Sequence, residues 1–145
     1  MRDLFESPGR YIMRVSNGIK HQLDSFVADT SMTNAEARVL QFIAAAHSPV
    51  YQKDIETEYG YTAATVSELM QGMEQKGLVQ RQTDPADRRR KCLTIPEAIR
   101  PQVEAMRGRM VRMEAALIEG LSEDEIEIFM KVIRRMSTNI PPKAD

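Results

Sequence analysis

Apolar residues recur along this chain at helical spacing far more often than at the alternation of a strand. Between residues 9 and 28, Ile12, Val15, Ile19, Leu23, Phe26 and Val27 fall on one stripe, which predicts a first long amphipathic helix. Thr33 followed by Glu36 has the spacing of a capping box and opens a second helix over about 34–46, broken by His47-Ser48-Pro49. A short third helix over 51–60 ends at Gly60. Thr62 caps a fourth, which closes at Gly77, a residue suited to a left-handed helix C-terminus. The period then changes. Residues 78–82 and 91–95 are short and extended in character, and the polar, proline-containing loop between them makes a hairpin. Pro96 begins a long helix to about 119, with Val103, Met106, Met110, Met113 and Leu117 spaced by three and four. Ser122 caps a last helix that carries Ile126, Phe129, Met130 and Ile133, and the acids of its first turn complement the helix dipole. The closing residues 141–145 read as a frayed tail.

This order predicts a mainly α fold with a small β-hairpin. The third helix, the fourth helix and the hairpin compose a winged helix-turn-helix, flanked by amphipathic helices that can pair about a two-fold axis. Three segments result: an N-terminal dimerisation helix over 1–32, a winged helix-turn-helix over 33–95, and C-terminal dimerisation helices over 96–145. Within the middle segment the fourth helix spans about 62–76 and the wing about 78–95.

At 100° per residue, Val66, Leu69, Met70 and Met73 of the fourth helix lie within about 100° of one another and form its buried stripe. The opposite face carries Ala64, Glu68, Gln71 and Gln75, flanked by Thr65 and Ser67. Small and amide side chains let a helix approach a groove closely. Gln bonds adenine in bidentate fashion, Glu accepts from the cytosine amino group, and Ala touches a thymine methyl. The same residues also compose an ordinary solvated helix face, so the helix alone does not decide between the two.

The hairpin adds a charge argument. The whole chain has a formal net charge of −1, which argues against a uniformly basic coat. Residues 80–91, however, hold Arg81, Arg88, Arg89, Arg90 and Lys91 against Asp84 and Asp87, a local net of +3. A short hairpin is not expected to bury these charges, so they are solvated or face a partner. Arginine favours phosphate and narrow minor grooves. Directly behind a helix-turn-helix, the block points to DNA, with Asp87 holding one guanidinium in place by a salt bridge.

The stretch from Thr62 to Ile95 resembles the MarR family of bacterial winged-helix regulators. The family pattern T-x-x-x-V-S-x-L is met by Thr62, Val66, Ser67 and Leu69. Its L-E-x-K-G-L-[VI]-x-R run is met by Glu74, Lys76, Gly77, Leu78, Val79 and Arg81, with Met73 standing for the usual Leu. Its wing motif D-x-x-D-x-R is met by Asp84, Asp87 and Arg89. The resemblance implies a homodimer that sets recognition helices in successive major grooves of double-stranded DNA and wings in the flanking minor grooves. It implies contacts from Thr62, Ala63, Ala64, Thr65, Ser67, Glu68 and Gln71 on the helix and from Arg81, Arg88, Arg89 and Arg90 in the wing, with Asp87 orienting Arg89. Two positions depart from the pattern. Glu68 stands where many members carry a base, and Ile95-Pro96 stands where the return strand usually ends in Leu-Thr. Pro96 then supplies a fixed backbone angle in place of the Thr cap.

The resemblance also implies a small phenolic or lipophilic effector between the dimerisation helices and the DNA-binding lobe, with Tyr11, His21, Phe26 and Met32 as candidate lining residues. As plain side chains these four read first as core or dimer interface. The only cysteine, Cys92, lies in a wing strand and reads as structural; one cysteine forms no intrachain disulfide, which fits a cytoplasmic setting. The two histidines, His21 and His47, belong to no cluster with metal-ligand spacing, so neither a metal nor a cofactor is expected. No apolar run is long enough for a membrane span, and no glycine-rich phosphate loop, nucleophile elbow or HExxH is present, so an enzyme is not expected. The alternative kept open is a winged-helix module whose arginine wing meets an acidic protein.

Overall fold

The computed structural model describes residues 6–140. The tail at 141–145, expected to fray, and the first five residues of the N-terminal segment lie outside that range. The described residues form the expected mainly α fold with one small hairpin. The order is α1 (Pro8–Val27), α2 (Asn34–Ala45), α3 (Gln52–Tyr59), α4 (Ala63–Gln75), β1 (Gln80–Thr83), β2 (Lys91–Thr94), α5 (Arg100–Leu117) and α6 (Glu123–Asn139).

Local chemistry sets the helix limits. The Thr33 side chain accepts from the Glu36 amide while the Glu36 carboxylate accepts from the Thr33 amide at 2.8 Å, a complete capping box. Ser122 and Glu125 repeat the device at α6. There the hydrogen bonds from Ser122 hold the Glu125 carboxyl below the usual range. Gly60 and Gly77 take φ of 64° and 71° at the ends of α3 and α4. A left-handed residue at Gly60 lets the chain turn from α3 into α4 within three residues.

Val39, Leu40, Ile55, Val66, Met70 and Met73 are fully buried, and they come from α2, α3 and α4. Leu93 and Ile95 of the hairpin side and Val103 and Met106 of α5 complete the same core. Leu69, expected in the buried stripe of α4, is only partly buried at its edge. The first turns of α5 thus belong to the helix-turn-helix lobe, where Gln41 also donates to the Val103 carbonyl at 2.9 Å. By contrast α1 and α6 bury no residue fully.

Two expectations need correction. Pro96 does not open the fifth helix: it caps a 3-10 turn over Glu97–Ile99, and α5 starts at Arg100 with Pro101 in its first turn. A helix begun at 97 would put Pro101 in its fifth position, where the ring clashes with the carbonyl four residues back and no N–H is available. The first strand begins at Gln80 rather than 78, because Leu78 and Val79 are drawn into the core before pairing starts. The register Gln80↔Thr94 to Thr83↔Lys91 then leaves a loop over 84–90.

Candidate nucleic-acid interface

The outward face of α4 is built from its cap upward. Thr62 Oγ1 accepts from the Thr65 amide at 3.1 Å and shares a 2.9 Å hydrogen bond with the Thr65 hydroxyl. With Val66, Met70 and Met73 turned inward, Ala63, Ala64, Thr65, Ser67, Glu68 and Gln71 are all exposed. The Glu68 side chain makes no hydrogen bond or ion pair among the described residues. The far end of the helix is fastened. Lys76 Nζ donates to both Glu36 carboxylate oxygens at 2.8 and 3.0 Å, and to the Ser31 carbonyl at 3.1 Å. Glu36 is 5% exposed, so this pair ties α4 to the start of α2 from inside the lobe.

In the wing the two acids separate. Asp84 is 3% exposed, against the expectation that the hairpin's charges stay in solvent. Its carboxylate accepts from the Tyr51 hydroxyl and, at 2.8 Å, from the Ala86 amide. These two bonds hold its carboxyl below the ordinary aspartate range. The bond donated to Asp84, followed by burial, holds the Tyr51 hydroxyl proton above the ordinary tyrosine range. Burial is possible because each oxygen finds a donor. The Asp84 amide donates to the Arg90 carbonyl at 3.0 Å, closing the loop, and the Arg90 guanidinium lies 3.6 Å over the Tyr51 ring. One residue earlier, the Val50 carbonyl accepts from Leu93 N at 2.7 Å, so a single residue of the α2–α3 connection pairs with β2.

These contacts sort the basic block. Arg81 Nε lies 3.3 Å from Glu74 at the end of α4, Lys91 donates to Thr83 across the hairpin at 2.8 Å, and Arg90 covers Tyr51. Asp87 Oδ1 accepts from the Arg89 amide at 3.0 Å and lies 3.4 Å from Arg89 Nε. The Arg89 side chain is 94% exposed, so this pair directs the guanidinium more than it stabilises the fold. Arg88 is exposed and makes no hydrogen bond or ion pair among the described residues. Arg88 and Arg89 are therefore the cations turned outward at the wing tip. Cys92 is buried, its thiol donating to the Gln82 carbonyl at 3.5 Å.

Tyr51 and Val50 were not among the sequence candidates. A single-residue bridge leaves no periodicity to detect. The available hint was a tyrosine at a helix N-cap, where Ser, Thr, Asp or Asn is usual.

The four residues considered for an effector are not gathered in one cavity. Met32 is in the core, while Tyr11 and His21 are exposed on α1. Phe26 lines an open groove of about 570 Å³ between α1 and α5, with Val15, Ile19, Met113, Leu117 and Arg109. Arg109 donates to the Phe26 carbonyl at 3.2 Å across it. Among the described residues no group of His, Cys, Asp and Glu is arranged to hold a metal ion, and no helix is long and apolar enough to cross a membrane.

Comparison with known proteins bears on this arrangement. Residues 30–90 match the MarR family. The transcription regulator MarR from Oenococcus oeni PSU-1 is 24% identical, over 90% of this chain and 98% of that one, with a TM-score of 0.80; it shares the fold. The S. aureus MepR–DNA complex is 25% identical, over 96% of this chain and 100% of that one, with a TM-score of 0.85. S. aureus MepR bound to ethidium bromide is 26% identical over the same shares, with a TM-score of 0.59. The helix-turn-helix and wing thus match the MarR family over residues 30–90, and the fold is similar over nearly the whole chain to those of these winged helix-turn-helix regulators.

Proposed function

We propose that this protein is a cytoplasmic, homodimeric, sequence-specific DNA-binding regulator, a repressor that a small phenolic or lipophilic effector releases from a pseudo-palindromic operator. One observation carries the reading: the exposed polar face of α4 and the outward Arg88 and Arg89 belong to one lobe whose fold resembles that of MepR in complex with DNA. The α4 residues Thr62, Ala63, Ala64, Thr65, Ser67, Glu68 and Gln71 then read base edges in the major groove. Arg88 and Arg89 reach the backbone or the flanking minor groove, and Asp87 orients Arg89 without touching DNA.

The dimer is supported by where apolar surface stays open. The exposed large apolar residues all lie outside 33–95: Tyr11 to Val15 on α1, Val111 to Leu121 around the end of α5, and Ile128 to Ile140 on and beyond α6. An open patch of this kind needs a cover, and a second copy supplies one with two-fold symmetry. Half-sites should then lie about 34 Å apart, one helical turn. The effector reading is supported by the apolar groove between α1 and α5, with Arg109 beside it for an acidic or phenolic group. The protein-partner alternative is disfavoured because the centre of the α4 face is small and polar rather than aromatic.

Selection of duplexes from a random pool by the full chain tests the reading, and an enriched inverted repeat is expected. On the selected duplex, Arg89→Ala should weaken binding and lower the slope of log affinity against log salt by about 2 per dimer, one phosphate contact for each wing. A pool that stays unenriched overturns the reading. An unchanged affinity and slope in Arg89→Ala removes Arg89 from the contacts.

A further inference from the structure

The hairpin has four residues on each strand, and an isolated two-stranded ribbon of that size is marginal in water. Its pose therefore depends on what it is docked against. Beyond its apolar contacts and the half-exposed Arg81–Glu74 pair, three interactions fix it, and all three end on two consecutive residues. Val50 takes the Leu93 amide, the Tyr51 hydroxyl takes the buried Asp84 carboxylate, and the Tyr51 ring takes the Arg90 guanidinium. Tyr51 in turn is the N-cap of α3, and its amide donates to Asp54 at 2.8 Å. The same residue thus touches both halves of the wing loop and the helix that packs on α4.

We propose that Tyr51 is a positioning residue for DNA recognition: by gripping Asp84 and Arg90 at the root of the wing, it keeps Arg88 and Arg89 outward and fixes their distance from α4. This rests on the DNA-binding reading above. The chemistry favours selection among the arginines. A guanidinium held over a phenol ring has an attractive partner and gives up part of its hydration, so Arg90 stays at the root. The loop beyond it is only seven residues from Asp84 to Arg90, and both its ends are held, Asp84 by the phenol and Arg90 by the ring. What remains free to project is the tip.

Tyr51→Phe removes one oxygen and keeps the ring under Arg90. It leaves the buried Asp84 carboxylate without its side-chain donor, and the loop relaxes to hydrate it. In the free protein, amide exchange at Ala86 and Arg90 should accelerate by about tenfold or more, with α4 amides unchanged. On the duplex selected by the parent, affinity should fall by about tenfold and the salt slope by about 2 per dimer, while the bases preferred under α4 stay the same. Asp84→Asn approaches the grip from the other side and should shift the slope in the same direction. A Tyr51→Phe protein that melts earlier yet binds with the parent's affinity and slope overturns the inference, since a purely structural residue behaves that way. Loss of base preference under α4 together with affinity also overturns it. If the parent selects no duplex, the DNA-binding reading fails and the inference falls with it. An unchanged Tyr51→Phe slope beside a binding parent sinks the inference alone.

Discussion

Asp84 and Asp87 stand three residues apart with the same side chain, yet one is buried under a phenol and the other is partly exposed beside an arginine. From sequence both were acids in a basic block, and only Asp87 was given a partner. The difference comes from Tyr51, 33 residues before Asp84, and no local pattern reveals such a contact. The Asp87–Arg89 pairing was legible through the wing motif of the resemblance, in which the two residues stand two positions apart in one tight loop. The Tyr51–Asp84 bond has a pH signature. Asp84 is held below its ordinary range, so its contribution is present above the unfolded value of about 4 and lost as pH falls through the lower folded value. Tyr51 is held above its ordinary range, so its contribution is present below about pH 10 and lost as pH rises through the higher folded value. The bond is therefore intact across the window from about pH 4 to about pH 10. In a spectrophotometric titration, Tyr51 and Tyr59, the latter held up by burial, should ionise late among the four tyrosines of the parent, and only one of the two should ionise earlier in Asp84→Asn. Coincident curves would show that the carboxylate does not hold the phenol proton.

Among the elements, α4 was the most legible. Its cap at Thr62, its inward Val66, Met70 and Met73 and its terminating Gly77 all follow from residue type and a 3.6-residue period. Met70 has no exposed surface, and its neighbours come from separate elements that cannot close around a void together. Met70→Ala should cost about 2–5 kcal/mol in denaturant unfolding, with the slope against denaturant unchanged. A loss under about 1 kcal/mol would mean that the core collapses around the truncation. Less legible was the start of α5, where two prolines five positions apart each fit a first helical turn. Only the clash that Pro101 would suffer inside a longer helix decides between them. The pairing of Val50 with Leu93 could not be read at all, because it is set by tertiary proximity and not by a run of residues.

At the scale of the whole molecule, the sequence stripes of α1, α5 and α6 are apolar faces; the first turns of α5 are buried in the lobe, while much of α1, the end of α5 and α6 stays open in the single chain. Phe129 is 57% and Ile128 62% exposed on α6. Phe129→Glu should leave α2–α4 folded and shift light scattering at micromolar concentration from dimer to monomer. The parent's melting temperature should rise with protein concentration, and the variant's should not. A parent that scatters as a folded monomer would contradict the dimer.

Helix α5 has 18 residues, about 27 Å from end to end. Val103 and Met106 are embedded in the helix-turn-helix core, while Met113 and Leu117 lie beside α1 in the groove. It is thus a lever with one end cast into the helix-turn-helix lobe and the other lining the open groove beside α1. Rotating that lever by about 10° sweeps its far end through about 5 Å, more than the base-pair rise of about 3.4 Å. In the proposed dimer, two such levers swung in opposite senses would put the paired lobes out of step with the DNA repeat, without changing the shape of either lobe.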